Sequence, residues 1–133
     1  MIVLDASVVL KWFQEERDSE KALAFEERHA RGEETVAAPD LLFYEVANVL
    51  RNQKGIRVEA IETALEVLSR LEIQTFTFSP VDLKEVVRFA AMHDISVYDA
   101  LYVILARRLG CRFVTADKRL YTQLRPLGGV DLL

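Results

Sequence analysis

The chain has 133 residues, 51% of them hydrophobic, and a formal net charge of −4. These values are typical of one folded domain and exclude a disordered chain. Charges interrupt each apolar run before the ~18 apolar residues of a membrane span, and no signal-peptide pattern opens the chain, so we expect a cytoplasmic protein without membrane contact. Cys111 is the only cysteine, which excludes an intrachain disulfide and a zinc site built from cysteines.

Short apolar or alternating runs are separated by amphipathic stretches along the chain. The runs predict strands at Ile2–Leu4, Thr35–Ala38, Ile73–Phe78, Arg112–Thr115 and Val130–Leu132. The amphipathic stretches predict helices from Ser7 to about Glu15, then at Ser19–Arg31, Leu41–Asn52, Val58–Leu71, Pro80–His93 and Ser96–Leu109, with a short helix before the last strand. We expect Ser7, Asp40 and Ser96 to cap helix N-termini.

This alternation of strands and helices predicts an α/β fold for residues 1–133. A central, mostly parallel sheet would be flanked by helices on both faces, in a single domain. The stretch from Val97 to Ala106 is apolar on all sides of its helix, so we expect that helix at the centre of the core. Ligands of such sheets bind at the carboxyl ends of the strands, which directs attention to the residues there.

Two acidic residues follow strands and two lie near the starts of helices. Asp5 directly follows the first strand, and Asp117 follows the strand that ends at Thr115. Glu45 interrupts the apolar stripe of its helix, where an ionised carboxylate costs several kcal/mol unless a cation or hydrogen-bond donors meet it. Asp99 lies in the first turn of the apolar helix.

Each acid taken alone has a second interpretation. Asp5 and Asp117 are also placed to cap helices or form turns, and Asp99 has the spacing of a capping box with Ser96. Glu45 could pair with a basic side chain, or accept hydrogen bonds from Asn48 and Asn52 on the same flank of its helix. These alternatives stay open from the residues alone.

As a set, the four acids indicate a site for hard divalent cations. Hard divalent ions such as Mg²⁺ prefer oxygen ligands. Phosphodiester cleavage needs a deprotonated water and neutralisation of the charge that develops on the phosphate, and one or two such ions supply both. The hydroxyls of Ser7 and Thr115 are close in sequence to the strand-end acids and could orient a carboxylate, a water or a phosphate. His29 and His93 lack the spacing of a zinc pair, and no Walker, GxGxxG or GxSxG motif is present.

Two further groups of residues are candidates for binding. The segment from Val103 to Arg119 is locally basic, and its candidates for nucleic-acid backbone binding are Arg107, Arg108, Lys118 and Arg119, whereas Arg112 begins a strand and could be structural. Trp12, Phe13 and Phe43 could form an exposed apolar groove for a partner, although core packing also explains them.

Four motifs occur in a characteristic order: MIVLDASVVLKWF, APDLLFYEVANVL, ISVYDALYVILARRLG and FVTADKRL. Together they resemble the PIN domain, and most closely the VapC-type toxins of prokaryotic toxin–antitoxin pairs. The resemblance implies a PIN-like fold and an endoribonuclease that uses Mg²⁺ or Mn²⁺. It implies that Asp5, Glu45, Asp99 and Asp117 are the catalytic, metal-binding quartet, with Ser7 and Thr115 as helper hydroxyls and Asn48 as the usual Asn after the Glu.

The resemblance also implies partners. It implies an RNA substrate, a homodimer, and a small antitoxin that lays a peptide across a groove near the site. The alternative function is non-catalytic: an acidic α/β domain that binds a partner, or a signalling domain that receives phosphate. A receiver domain would carry paired acids after the first strand, whereas Ala6 and Ser7 follow Asp5 here. Metal-dependent RNA cleavage separates the two classes.

Overall fold

A single five-stranded parallel sheet forms the centre of the computed structural model, which describes residues 1–133. The strands are β1 (Ile2–Leu4), β2 (Val36–Pro39), β3 (Gln74–Phe76), β4 (Arg112–Thr115) and β5 (Val130–Leu132). Their order across the sheet is β3-β2-β1-β4-β5. In the register of the central pair, Ile2 lies opposite Arg112 and Leu4 opposite Val114. The α/β fold class is confirmed, and the sheet is parallel throughout.

Seven α-helices connect and cover the strands. They are α1 (Ala6–Val9), α2 (Ser19–Ala30), α3 (Leu41–Asn52), α4 (Val58–Arg70), α5 (Leu83–His93), α6 (Val97–Leu109) and α7 (Lys118–Leu124). With this strand order, the right-handed crossovers that parallel strands almost always use put α1 to α4 on one face of the sheet and α5 to α7 on the other. No single helix is long and apolar enough to cross a membrane, although α5 and α6, bent by 112° at their junction, satisfy length and composition as a pair.

Helix α6 lies in the centre of the core, as its apolar sequence predicted. Every residue from Ala100 to Ala106 is buried, and the helix packs against β1, β2 and β4. Gly110 ends α6 in a left-handed conformation, with φ of 64°. The N-terminus of α6 therefore lies at the carboxyl edge of the sheet and its C-terminus at the opposite edge, since β4 begins two residues after Gly110.

The strand order reverses between β1 and β4. From β1 the chain builds outwards to β2 and β3, and it then crosses back to place β4 on the other side of β1. The connections that leave β1 and β4 diverge at this point, which opens a crevice at their carboxyl ends. Asp5 follows β1 and Asp117 follows β4, so the topology brings these two acids to the same crevice.

Two predicted N-caps, Ser7 and Asp40, and one predicted helix start, Pro80, were wrong. The N-cap of α1 is Asp5 rather than Ser7, and this helix ends at Val9 before a short 3₁₀ turn, well before Glu15. Asp40 makes no capping bond and accepts one from the Thr77 hydroxyl instead. Helix α5 begins at Leu83 because Ser79 and Asp82 bond to each other in the preceding turn. The Ser96 cap of α6 is confirmed.

Candidate functional site at the carboxyl edge of the sheet

Asp5 is a buried carboxylate at the end of β1, with only 7% of its surface exposed. Its Oδ1 accepts hydrogen bonds from the Ser7 hydroxyl at 2.5 Å and from the Val8 backbone N–H at 3.2 Å. Burial raises the pKa of Asp5 to about 6, an increase opposed by its hydrogen bonds and reinforced by the negative charge of Asp99. The group is thus held in place but costs free energy when ionised.

Ser7 and Thr115 connect the ends of β1 and β4. The Ser7 hydroxyl donates to Asp5, accepts from the Ala116 N–H at 2.8 Å, and lies 3.4 Å from the Thr115 hydroxyl. Thr115 is fully buried, and its hydroxyl accepts from the Asp117 N–H at 3.0 Å. Both hydroxyls therefore fix the backbones that carry the two strand-end acids.

Glu45 is half-buried on α3 and is bound by a residue that the sequence analysis missed. The Tyr102 hydroxyl on α6 donates to Glu45 Oε2 at 2.5 Å. Asn48 and Asn52, which we considered as partners of Glu45, bond to each other at 3.1 Å instead. Burial raises the pKa of Glu45, an effect partly offset by the bond from Tyr102 and reinforced by Asp99.

One feature of the sequence was available to identify Tyr102. It lies three residues after Asp99, on the same side of α6, and a buried phenol requires a hydrogen-bond partner. Burial, and then the nearby carboxylates, raise the pKa of Tyr102 well above its usual range, so its hydroxyl remains a donor.

Asp99 and Asp117 line one small surface cavity of about 220 Å³. Asp99 Oδ2 accepts from the Ser96 hydroxyl at 2.7 Å, and the Asp99 N–H donates to that same hydroxyl at 2.9 Å. Asp117 Oδ1 caps α7 by accepting from the Arg119 N–H at 2.8 Å and the Leu120 N–H at 3.1 Å. The helix-capping interpretations of these two acids are thus borne out, alongside their shared cavity.

Asp5, Glu45 and Asp99 lie near one another, Asp117 shares a cavity with Asp99, and none of the four has a basic partner. The charge of Asp99 acts on both Asp5 and Glu45, and all three act on the Tyr102 hydroxyl. None of the ion pairs in the chain includes any of the four carboxylates. The arrangement concentrates negative charge at the crevice, where a cation would relieve the repulsion.

The donor chemistry of these acids fits a hard divalent cation. Each of the four uses one oxygen for hydrogen bonds to the protein, while Asp5 Oδ2, Glu45 Oε1, Asp99 Oδ1 and Asp117 Oδ2 accept none. No three acidic, histidine or cysteine side chains are close enough to ligate one ion directly. This spacing suits an ion such as Mg²⁺, which retains several waters and takes one or two direct carboxylates.

Of the four predicted backbone-binding residues, two lie at the site and two do not. Arg119 lines the cavity with Asp99 and Asp117, and Lys118 precedes it at the exposed start of α7. Arg107 and Arg108 lie at the opposite end of α6, roughly 13 Å from Asp99 along the helix axis.

The guanidinium groups of Arg107 and Arg108 are also engaged elsewhere. Arg108 pairs with Asp82 at 2.9 Å and with Glu85 at 2.8 Å. Arg107 stacks over the Phe89 ring, 4.7 Å from its centroid. The basic run in the sequence extends from the C-terminus of α6 through β4 to the start of α7, so its residues lie at opposite edges of the sheet, and RNA binding by Arg107 and Arg108 stays a prediction.

The three aromatic residues predicted to line one groove are separated. Trp12 packs against the core, and its indole N–H donates to the Ala22 carbonyl at 2.9 Å. Phe13 lines a depression of about 350 Å³ with Leu50 and Ile56. Phe43 lines another, of about 300 Å³, with Leu65 and Leu68. Helix α4 contributes to both depressions, so the single predicted groove is divided in two.

Comparisons with known proteins agree on one family. A family model described as the PIN domain matches residues 2–123. The chain is 32% identical over 124 residues to Ribonuclease VapC3 of Pyrobaculum aerophilum, covering 90% of this chain and 91% of that protein. It is 33% identical over 123 residues to Ribonuclease VapC9 of Mycobacterium tuberculosis, covering 90% and 88%.

Two solved structures share the fold. The PAE2754 protein of Pyrobaculum aerophilum superposes with a TM-score of 0.70 at 22% identity, covering 98% of this chain and 87% of that one. VapC20 of Mycobacterium tuberculosis, described as a toxin that cleaves the sarcin–ricin loop, superposes with a TM-score of 0.70 at 14% identity, covering 92% and 94%.

Replacing Asp5 by Asn should stabilise the metal-free protein at neutral pH. Because the pKa of Asp5 is raised to about 6 in the folded state, the folded protein binds more protons than the unfolded chain between pH ~4 and ~6. Stability conferred by the neutral carboxyl is therefore lost as pH rises through that window, by about 3 kcal/mol. Urea unfolding in EDTA, from pH 4 to 8, should show a smaller loss in Asp5→Asn than in the wild type.

The matched control is Asp40→Asn, which changes the acid that follows β2 but lies outside the four. It should keep the pH dependence of the wild type. An Asp5→Asn protein that loses stability at pH 7 would show that capping by the charged carboxylate outweighs its burial.

Proposed function

The chain belongs to the PIN-domain family, and we propose that it is a VapC-type endoribonuclease, the toxin of a toxin–antitoxin pair. Its 133 residues act as a single nuclease domain that hydrolyses RNA phosphodiester bonds with the aid of a divalent metal. The observation that carries this proposal is the group of unpaired carboxylates at the crevice between β1 and β4. Family membership supports a nuclease over the alternative of a non-catalytic or phosphate-receiving domain.

In this proposal Asp5, Glu45, Asp99 and Asp117 hold the metal, and Mg²⁺ or Mn²⁺ is the ion that their oxygens select. A divalent ion supplies Lewis acidity, since it acidifies water and neutralises charge that develops on a phosphate. The protein supplies the orientation. Ser7 holds Asp5 by a direct hydrogen bond, and Thr115 holds the backbone of Asp117.

Substrate binding is proposed at the start of α7. Lys118 and Arg119 are exposed cations beside an acidic cavity, and phosphate groups of RNA are their matching ligand. With two such cations at the site and a net charge of −4, the protein has little general affinity for nucleic acid. Selective binding at the crevice follows, because the bound metal adds positive charge only there.

The cognate antitoxin is proposed to cover the same crevice. The antitoxin segment that would complement this crevice carries apolar anchor side chains and an Arg. The planar guanidinium of an Arg binds a carboxylate with two hydrogen bonds. We place the anchors in the Phe13 depression, since Leu50 on its wall belongs to α3, the helix that carries Glu45. Antitoxin and metal then compete for the same carboxylates.

We also propose a cytoplasmic homodimer. Large apolar side chains are exposed on three helices, namely Tyr44 and Val49 on α3, Val87 and Met92 on α5, and Tyr98 at the start of α6. Burying such side chains against a second copy is favourable, since each removes apolar surface from water.

The first prediction from this proposal concerns the metal. The purified protein should cleave RNA with Mg²⁺ or Mn²⁺ and lose activity in EDTA, and Zn²⁺ alone should not restore it. Asp5→Asn, Glu45→Gln, Asp99→Asn and Asp117→Asn should each lower the cleavage rate by orders of magnitude, measured on a labelled RNA. Asp40→Asn is the control and should keep wild-type activity. Full activity in EDTA would exclude the metal-dependent mechanism.

A second prediction concerns the RNA-binding cations. Lys118→Ala together with Arg119→Ala should weaken RNA binding and flatten its dependence on salt. Each lost phosphate contact should reduce the slope of log affinity against log salt by about 0.7 for a single strand. Fluorescence anisotropy at several KCl concentrations measures this slope. Arg107→Ala is the matched control, and an equal loss of slope there would place the RNA along α6 instead.

A third prediction concerns the antitoxin. Phe13→Ala should weaken the toxin–antitoxin complex while leaving Mn²⁺ binding unchanged, because it removes an apolar wall and leaves all four carboxylates in place. Raising the Mn²⁺ concentration should weaken the wild-type complex, as measured by isothermal titration calorimetry with the antitoxin encoded beside the toxin gene. Phe43→Ala is the control for the second depression. If neither added Mn²⁺ nor Phe13→Ala changes the affinity of the complex, the antitoxin binds elsewhere.

A further inference from the structure

We propose that Tyr102 is a positioning residue that fixes the carboxylate of Glu45 for metal binding. This inference rests on the proposed function, since it concerns how one of the four acids is held. It adds a residue from the interior of α6 to the site, beyond the four acids and the hydroxyls of Ser7 and Thr115.

The contact joins two helices that are distant in sequence. The Tyr102 hydroxyl on α6 donates to Glu45 Oε2 on α3 at 2.5 Å, across 57 positions of the chain. Tyr102 is 1% exposed, and Glu45 is the only hydrogen-bond partner of its hydroxyl. A hydrogen bond to a charged acceptor is stronger than a neutral one, so this contact restrains the carboxylate firmly.

The phenol ring itself is held by packing. Its ring stacks on the fully buried Phe113 of β4, with 6.1 Å between ring centroids and 16° between ring planes. The position of the hydroxyl is therefore restrained by the contact of its ring with the sheet. Glu45, by contrast, is only half-buried on a long flexible side chain. Without the donor, its carboxylate would turn towards water and sample several rotamers.

Packing alone does not account for a tyrosine here. Every other buried residue from Ala100 to Ala106 is apolar, and a phenylalanine ring would fill the same space without a hydroxyl that needs a partner. The hydroxyl takes one oxygen of Glu45 and leaves Oε1 without a hydrogen bond from the protein. Because Tyr102 occupies Oε2, Oε1 is the oxygen of Glu45 that stays available for a cation.

The test is Tyr102→Phe, with Mn²⁺ as the probe. Partners that orient metal ligands typically contribute 10–100-fold to metal affinity, so Mn²⁺ binding by calorimetry without RNA should weaken by about that factor. RNA cleavage at limiting Mn²⁺ should fall and recover when Mn²⁺ is raised, with KM for RNA unchanged. Tyr121→Phe removes a half-buried hydroxyl that makes no hydrogen bond, and it should bind Mn²⁺ like the wild type.

A double-mutant cycle links the effect to Glu45. In the Glu45→Gln background, Tyr102→Phe should cause little further loss of Mn²⁺ affinity, because the group it positions is already changed. Additive losses would overturn the proposal, as would a Tyr102→Phe protein that melts at a lower temperature but binds Mn²⁺ normally. If the wild type itself neither binds Mn²⁺ nor cleaves RNA, the proposed function fails instead.

A second variant covers the case in which Tyr102→Phe does not fold. Phe113→Leu keeps the hydroxyl but removes the stacked ring that fixes it. A weakened affinity for Mn²⁺, in the same direction and smaller, supports the positioning role. An unchanged affinity in a folded Phe113→Leu protein overturns it.

Discussion

The pairing of β1 with β4 determines the geometry of the whole site. With Leu4 opposite Val114, the two strands end at the same level, and the residues that follow them enter one crevice. Asp5 N–H extends this ladder to the Val114 carbonyl, so the first acid is still part of the sheet. A slip of one residue would turn Asp5 to the opposite face, because side chains alternate along a strand. The chemistry therefore depends on a register that buried Val3 and Phe113 enforce.

Helix α6 supplies the second half of this geometry. The helix packs its apolar side chains against three strands, and this packing fixes the N-terminus of α6 at the carboxyl edge of the sheet. Asp99 and Tyr102 lie one turn apart there and reach two different neighbours: the shared cavity with Asp117, and Glu45 on α3. The core thus positions the polar groups directly, without a flexible loop. Carboxylates held this way stay close despite their repulsion, which costs stability and favours a cation.

The sequence was most informative where one residue contradicts its surroundings. Glu45 stood out because it is charged within an apolar stripe, and the strand-end acids stood out because strand ends converge in parallel sheets. Tyr102 did not stand out, since a tyrosine within an apolar helix is expected to pack in the hydrophobic core. The ion pairs of Arg108 with Asp82 and Glu85 could not be predicted from the sequence either, because they depend on how α5 packs against α6. The prediction of the α1 N-cap was wrong because two candidate capping residues, Asp5 and Ser7, lie in the same turn.

The distribution of charge explains how an acidic protein can act on RNA. Arg107 and Arg108 are engaged at the far end of α6, and the cations that remain near the crevice are those at the start of α7. Without metal, the carboxylates would repel a phosphate backbone. A metal ion bound there, as proposed, would instead make the same carboxylates attract the backbone. Under the proposed function, affinity for RNA would therefore depend on the loaded site, and an antitoxin cation paired with the carboxylates would remove the affinity for metal and for substrate at once.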